Sequence, residues 1–225
     1  MSPHTPATGP AVPSTPGAPS SLSALSGAAP KPGLRERKKI QTRQTIRRAA
    51  YRLFAEHGYD ATPVDRIAEA ADVSPSTVFR YFPTKEDIVL TDEYDDAMAA
   101  LLRARPADEP PLSALRAMMR EALGRVLDDP AERDEMLQRE ELMRNVPAIR
   151  ARSHESMSVT GRLLGSVLAE RTGQPADSLE IRVFTATVFT ALHETTSYWS
   201  EEGHEEQLLD LIDRSLTFIS GGMKF

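Results

Sequence analysis

The sequence contains no cysteine among its 225 residues. This absence excludes disulfide bonds and thiolate metal sites, and it agrees with a reducing compartment. No apolar run approaches the length that spans a membrane, and the N-terminus lacks the basic-then-apolar layout of a signal peptide. We therefore expect a cytoplasmic protein. We also expect it to need no cofactor.

Signatures of catalysis are also missing. The five histidines are scattered, and the sequence has no HExxH pair, nucleophile elbow or Walker loop. We therefore expect no enzymatic activity, no catalytic residue and no metal. One alternative is a metal-binding module, formed if two helices bring together His193, Glu194, His204, Glu205 and Glu206. Another alternative is a helical adaptor that binds a partner protein.

Charge is distributed unevenly along the chain. Residues 35–52 carry eight Lys and Arg against one Glu, whereas residues 88–225 carry fifteen Lys and Arg against twenty-five Asp and Glu. A basic end joined to an acidic body suits a DNA-reading segment attached to a body that does not touch DNA. Residues 1–33 hold eight of the seventeen prolines and a single Lys, which predicts a disordered arm.

Residues 62–85 predict two short helices separated by a sharp turn. Thr62 and Ser74 are suited to cap these helices, and a proline follows each of them at the first helical position. Apolar residues recur at helical spacing in the first helix, and Pro83 ends the second. Two capped helices joined by a short turn form a helix-turn-helix, whose second helix can enter the major groove of DNA.

The stretch 35–89 resembles the DNA-binding domain of the TetR family of transcriptional repressors. Asp72 departs from the family pattern, which usually has Gly at this turn, but Asp tolerates a left-handed backbone. Pro63 replaces a usual Thr or Ser, which removes one possible hydroxyl contact to phosphate. The family pattern is otherwise filled by Phe54, Gly58, Tyr59, Thr62, Val64, Ile67, Ala68, Ala71, Val73, Ser74, Thr77, Val78, Phe79, Tyr81, Phe82 and Lys85.

The resemblance implies an all-α fold of about nine helices in two domains. A three-helix DNA-binding domain with the helix-turn-helix spans residues 34–83, and a larger helical domain for ligand binding and dimerisation spans residues 84–225. Helical periodicity agrees with this layout and shows no convincing strand. It predicts one continuous linking helix over 84–103, followed by helices over 112–127, 131–143, 147–171, 176–199 and 204–219.

DNA contacts are expected at the start of the first helix and along the recognition helix. Four cations lie in the first turns of the first helix, where the positive end of the helix macrodipole repels them. Bound phosphate groups would compensate this repulsion. Ser76, Thr77 and Arg80 have donors for base edges, whereas Phe79 offers van der Waals contact. Hydroxyl and ammonium groups at helix ends suit phosphate contacts. The predicted DNA-binding residues are Arg35, Arg37, Lys38, Lys39, Thr62, Ser74, Ser76, Thr77, Phe79, Arg80, Tyr81 and Lys85.

The resemblance also implies an effector cavity inside the helical body, where small molecules bind and lower the affinity for DNA. Methionine suits adaptable apolar pockets, although ordinary core filling is the alternative for each one. The predicted ligand-binding residues are Met118, Met119, Met136, Met143, Met157, Phe184, Phe189 and His193. The expected effector is acyl-CoA-like or another lipophilic compound.

The last two helices carry apolar residues on more than one side, which predicts burial on most sides. The resemblance implies that they pair with their twins in a four-helix dimer interface. A single helix-turn-helix reads few base pairs, so we expect a two-fold dimer on a palindromic operator. The predicted interface residues are Val183, Thr187, Thr190, Ala191, Tyr198, Leu208, Leu211, Ile212, Ser215 and Ile219. The main hypothesis is a bacterial, ligand-responsive, homodimeric repressor, with an activator as the alternative.

Overall fold

The computed structural model describes residues 33–91, 94–204 and 207–224. The side chains of His154 and Met157 are not included in this description. Almost all of the predicted N-terminal arm, together with Glu205 and Glu206 of the possible metal site, also lies outside the described residues.

The described part of the chain is helical and contains no strand, as the sequence predicts. Ten helical segments follow one another: α1 Leu34–His57, α2 Val64–Ala70, α3 Pro75–Tyr81, α4 Asp87–Leu90, α5 Tyr94–Ala104, α6 Pro111–Asp128, α7 Pro130–Asn145, α8 Pro147–Thr172, α9 Leu179–Glu201 and α10 Leu208–Ser220.

The local signals of the helix-turn-helix are mostly confirmed. The hydroxyl of Ser74 accepts a hydrogen bond from the backbone amide of Thr77, and Pro75 opens α3. Asp72 has a left-handed backbone with φ of 53°, so the turn is kept without glycine. The predicted cap at Thr62 is wrong, because α2 begins one residue later and Pro63 precedes it without a side-chain cap.

The predicted continuous linking helix is wrong, because α4 ends at Leu90. Thr91 has extended backbone, with φ of −101° and ψ of 130°. Its hydroxyl accepts a hydrogen bond from Arg43, and its carbonyl oxygen accepts one from Arg47. These two contacts from α1 hold Thr91 in a position that the helix alone would not give it.

Two hydrophobic cores hold the fold together. The core of the DNA-binding domain is formed by α1 to α4, with Ile46, Ile67 and Phe82 fully buried. It also includes Ile149 from α8, so it crosses the boundary between the two predicted domains. The second core lies among α5, α6, α8, α9 and α10.

Gly165 of α8 lies where this helix packs against α9. A Cβ atom at Gly165 would lie 3.3 Å from Cγ2 of Thr185 and 3.5 Å from Cγ2 of Ile181. The absence of a side chain therefore permits this approach. None of the described helices is long and apolar enough to cross a membrane.

Candidate DNA-binding surface and effector cavity

The outer face of α3 presents polar and aromatic side chains to solvent. Ser76, Phe79 and Arg80 are exposed, whereas Thr77 and Tyr81 are half-buried. Phe79 is 49% exposed, which is unusual for a large apolar side chain and fits a surface that contacts a partner. Val78, on the opposite face, is buried in the core. One face of the recognition helix therefore packs in the core, and the other face is exposed to solvent.

The first turns of α1 form a second, basic part of this surface. All four predicted cations there are exposed: Arg35, Arg37, Lys38 and Lys39. The ammonium of Lys39 lies 3.3 Å from the carboxylate of Glu36, one turn away. Exposed ion pairs of this kind are weak, so this pair leaves the cations available to phosphate groups.

Thr62 requires a correction as a predicted DNA contact. Its side chain is fully buried. Its hydroxyl donates to the carbonyl oxygens of Gly58 and Leu53, at 2.7 Å and 3.3 Å. The side chain therefore fixes the turn between α1 and α2 and does not reach the surface.

Two predicted phosphate anchors already have partners within the chain. The hydroxyl of Ser74 lies 2.9 Å from the hydroxyls of both Ser76 and Thr77. The ammonium of Lys85 donates to the carbonyl oxygen of Tyr59 and lies 4.0 Å from the centre of its ring. Burial lowers the pKa of Lys85. Because an ammonium has three donors, contact with phosphate would add to these bonds rather than replace them.

Two arginines of α1 support the recognition helix from behind, and sequence analysis did not identify them. Arg47 is 4% exposed, and its guanidinium donates to the carbonyl oxygens of Ile88 and Thr91. Its guanidinium carbon lies 5.9 Å from the centre of the Phe82 ring, and that of Arg43 lies 4.6 Å away. The one sequence feature that could have indicated the burial of Arg47 is its position next to Ile46, on the apolar face of α1.

A cavity of about 520 Å³ lies between α4 and helices α5 to α9. Four predicted ligand-binding residues line it: Met119, Met143, Phe189 and His193. Three others require correction, because Met118 is fully buried in the core while Met136 and Phe184 pack against it, and none of them lines the cavity. Helical periodicity identifies apolar faces but does not distinguish a cavity wall from a filled core. The side chain of Met157 lies outside the described residues.

The cavity wall also carries ionisable groups that sequence analysis missed. Arg139 donates to the carbonyl oxygen of Leu90 at 3.2 Å, and Thr160 donates to the carboxylate of Asp95 at 3.0 Å. Burial raises the pKa of the Glu140 carboxyl, with partial opposition from nearby cations. The cavity therefore combines an apolar wall with fixed polar groups, as ligand pockets commonly do.

The outer face of α9 carries the exposed part of the predicted dimer surface. Val183 is 53% exposed, Tyr198 is 41% exposed, and Thr190 is exposed between them. Thr187, Ala191, Ser215 and Ile219 are half-buried.

Three predicted interface residues of α10 require correction. Leu208, Leu211 and Ile212 are almost fully buried in the core of their own chain. Phe218, which the prediction omitted from the interface, is 38% exposed on α10. Because apolar residues occur on more than one side of α10, the sequence pattern could not show which side packs against its own chain and which is exposed.

Two of the five residues of the metal-binding alternative, Glu205 and Glu206, lie outside the described residues. Among the described residues, no group of three or more His, Asp or Glu side chains is placed to hold a metal ion.

Comparison with known families matches most of the chain. Residues 46–91 match bacterial regulatory proteins of the tetR family, and residues 109–224 match the MftR C-terminal domain. The HTH-type transcriptional regulator TcmR of Streptomyces glaucescens is 38% identical over 172 residues, which cover 74% of this chain and 76% of TcmR. The transcriptional repressor AcnR of Corynebacterium glutamicum is 30% identical over 181 residues, or 78% of this chain and 91% of AcnR.

Solved structures share the fold. FadR of Thermus thermophilus, in complex with lauroyl-CoA, superposes with a TM-score of 0.52 at 24% identity, over 81% of this chain and 95% of FadR. FadR of Bacillus halodurans superposes with a TM-score of 0.55 at 21% identity, over 80% of this chain and 99% of that FadR. The helix-turn-helix, the matched family regions and these relatives agree, and the chain belongs to the TetR family of DNA-binding transcriptional regulators.

Proposed function

We propose that this protein is a homodimeric repressor that binds a palindromic operator and is released by a small lipophilic effector. The observation that carries this proposal is the exposed face of α3, with Ser76, Phe79 and Arg80, beside the basic start of α1. Arg can contact guanine with two hydrogen bonds, whereas the cations of α1 suit phosphate groups. Its site of action would be the bacterial cytoplasm, where the DNA lies.

DNA recognition is tested by selection from a pool of random duplexes, followed by sequencing of the retained fraction. The expected result is a palindromic consensus. Arg80→Ala should lose it, because this guanidinium is the strongest candidate for base readout. The matched control is Arg133→Ala on α7, an exposed arginine far along the chain from the recognition helix, which should retain the consensus. Enrichment of no sequence by the wild-type protein would contradict the proposal.

Dimerisation would use the exposed face of α9 that contains Val183 and Tyr198, together with Phe218 of α10. A two-fold interface buries the same patch on both chains, so one substitution places an unpaired charge in the interface twice. Val183→Lys should therefore shift sedimentation velocity profiles from dimer to monomer. Arg133→Glu serves as the control for a surface charge change. A dimer that persists in the Val183→Lys protein would place the interface elsewhere.

The effector would bind in the cavity lined by Met119, Met143, Phe189 and His193. The FadR structures from Thermus thermophilus and Bacillus subtilis are complexes with lauroyl-CoA and stearoyl-CoA, respectively, which makes an acyl-CoA-like ligand the first candidate. The apolar wall would take the chain, and the arginines of the cavity would meet the polar head.

Lauroyl-CoA should therefore lower the affinity for the selected duplex. Met119→Trp should abolish this response, because the larger side chain fills part of the cavity. Met223→Trp is the control, since Met223 is exposed near the C-terminus. Equal responses of both variants would place the ligand outside the cavity.

Signalling would pass through the segment 84–103, which contains α4 and α5. An effector that binds one position of this segment more tightly shifts the population toward it. In a dimer, such a shift changes the distance between the two recognition helices, and the misfit lowers operator affinity.

A further inference from the structure

Arg152 on α8 belongs to two parts of the molecule at once. It lines the effector cavity together with Asp87. Its guanidinium also lies 3.2 Å from the carboxylate of Asp87 and 3.8 Å from that of Glu86, and it donates to the hydroxyl of Thr84. One side chain of the helical body thus contacts three residues of the segment directly after the recognition helix.

Two of these residues, Thr84 and Asp87, are also hydrogen-bonded to each other where the chain enters α4, which begins at Asp87. The backbone amide of Thr84 donates to Asp87 at 2.9 Å, and the amide of Asp87 donates to the hydroxyl of Thr84 at 3.3 Å. This reciprocal pairing has the hydrogen-bond pattern of a capping box, with Asp in place of the usual Glu, across the turn that leads into α4. Arg152 therefore contacts the side chains of both members of this pair, the hydroxyl of Thr84 and the carboxylate of Asp87.

Glu86 extends the network to the DNA-binding surface. Its carboxylate accepts a hydrogen bond of 3.0 Å from the phenol of Tyr59, whose carbonyl oxygen accepts from Lys85, a predicted phosphate anchor. Burial alone would raise the pKa of the Glu86 carboxyl. Hydrogen bonds from its own amide, Tyr59 and Thr84, with the charge of Arg152, lower it instead. The carboxylate is therefore held in its charged form between two partners.

The two ends of α4 are held in different ways. Toward the C-terminal end, the carbonyl oxygen of Leu90 accepts hydrogen bonds from Arg139 and Ser156, and Arg47 of α1 donates to the carbonyl oxygen of Ile88. These contacts reach the backbone, whose charge does not change. At the N-terminal end, Arg152 contacts two carboxylates, and a competing anion can replace them.

We propose that Arg152 is the positioning residue through which an anionic effector in the cavity reaches the DNA-binding surface. This inference rests on the proposed function. It adds that the effector is an anion and that Arg152 forms a relay, which passes the binding event from the cavity to the recognition helix. A carboxylate or phosphate in the cavity would take over the guanidinium, since planar two-point pairing suits either anion. Asp87 and Glu86 would lose their counter-charge, and the start of α4 would move relative to its fixed C-terminal end. The recognition helix, which directly precedes this segment, would move with it.

The first test measures affinity for the selected duplex without any effector. Arg152→Met removes the contacts that favour the effector-free arrangement, so affinity should fall by about 5-fold or more. Arg150→Met is the matched control, because Arg150 is an exposed arginine on the same helix and outside the cavity, and the same charge is lost. Equal affinities of the two variants would overturn the inference.

A double-mutant cycle separates the relay from a general loss of stability. Glu86→Gln removes the charge that Arg152 compensates, so the effects of the two substitutions on DNA affinity should not add. Additive effects would overturn the relay. Circular dichroism and sedimentation check each fold, and Arg152→Lys serves if the methionine variant does not fold. Lysine keeps the positive charge but lacks the planar guanidinium fork, so its contacts with Thr84, Glu86 and Asp87 would be weaker and affinity should again fall.

The second test addresses the charge of the ligand. Dodecanoate and dodecyl phosphate, below their micelle-forming concentrations, should each lower DNA affinity of the wild-type protein about 5-fold or more, but not that of Arg152→Met. Comparison of the two probes distinguishes carboxylate from phosphate. Dodecanol should have no effect. Equal action of dodecanol, or no action of either anion, would overturn the anion exchange, whereas a wild-type protein that binds no duplex would overturn the proposed function instead.

Discussion

The guanidinium of Arg43 donates a hydrogen bond of 3.1 Å to the carbonyl oxygen of Tyr81, the last residue of the recognition helix. The same group donates to the hydroxyl of Thr91 at 3.0 Å and lies 4.6 Å from the centre of the Phe82 ring. Arg43 therefore satisfies a carbonyl group at the end of α3 that has no partner within the helix. The basic helix α1 thus both supplies surface cations and fixes the recognition helix.

Removal of this support should affect both stability and DNA affinity. Arg43→Met leaves two oxygen atoms without their charged donor, so the free energy of unfolding should fall by about 1–3 kcal/mol. Chemical denaturation measures this loss, and DNA affinity should fall as well because α3 is less well fixed. Arg48→Met, at an exposed position of α1, should change stability little. Equal losses in the two variants would contradict the supporting role of Arg43.

Loss of the buried hydroxyl of Thr62 should lower stability without lowering DNA affinity. Thr62→Val keeps the shape of the side chain but removes the donor to Gly58 and Leu53. The free energy of unfolding should fall by about 1–3 kcal/mol. The operator affinity of the folded protein should stay unchanged, because this side chain does not reach the surface. A loss of affinity without a loss of stability would restore Thr62 as a DNA contact.

Glu140 should make stability depend on pH. Burial raises the pKa of its carboxyl above 4.5, with partial opposition from Arg139, His193, Arg144 and His204. Between pH 4.5 and the raised pKa, the folded state binds more protons than the unfolded state, so stability falls as pH rises through this window.

Glu140→Gln removes the charge, and it should raise the melting temperature at neutral pH but not below pH 4.5. Differential scanning calorimetry at both pH values measures this difference, with Glu141→Gln at the exposed neighbouring position as the control. A gain of equal size at both pH values would show that the effect does not come from ionisation.

Two helical glycines should respond to substitution in opposite directions. Gly165→Leu would place a side chain against Thr185 and Ile181, and overpacking there should lower the free energy of unfolding by about 1–3 kcal/mol. Gly124 lies inside α6, and a Cβ atom there would have no neighbour within 4 Å. Gly124→Ala should therefore stabilise the protein by about 0.5–1 kcal/mol. Denaturation curves of both variants check this contrast.

Local chemistry in the sequence predicted much of the fold. Ser74 and Asp72 shape the turn through their own side chain and backbone preferences, and those preferences are visible in the sequence. The end of α4 was not predictable in this way, because it depends on Arg43 and Arg47, more than forty residues earlier in the chain.

The candidate sites were predicted less completely, for a related reason. Periodicity shows that Met118 and Met119 are both apolar positions of one helix, but only the packing of neighbouring helices leaves space beside Met119. In the same way, Leu208 and Val183 both lie on apolar helices, yet one is buried in its own chain and the other is exposed. The partners of Arg152 were hidden because they lie about 65 residues earlier in the chain.

Ile149, an α8 residue, is fully buried in the core of the DNA-binding domain, and Leu142, Met143 and Val146 pack against that core. Because the interior of one domain is completed by the other, the two should melt as one cooperative unit. Calorimetry should then show a single transition whose van't Hoff and calorimetric enthalpies agree. Met143 also lines the cavity, so a ligand bound there should raise the thermal resistance of the DNA-binding helices as well.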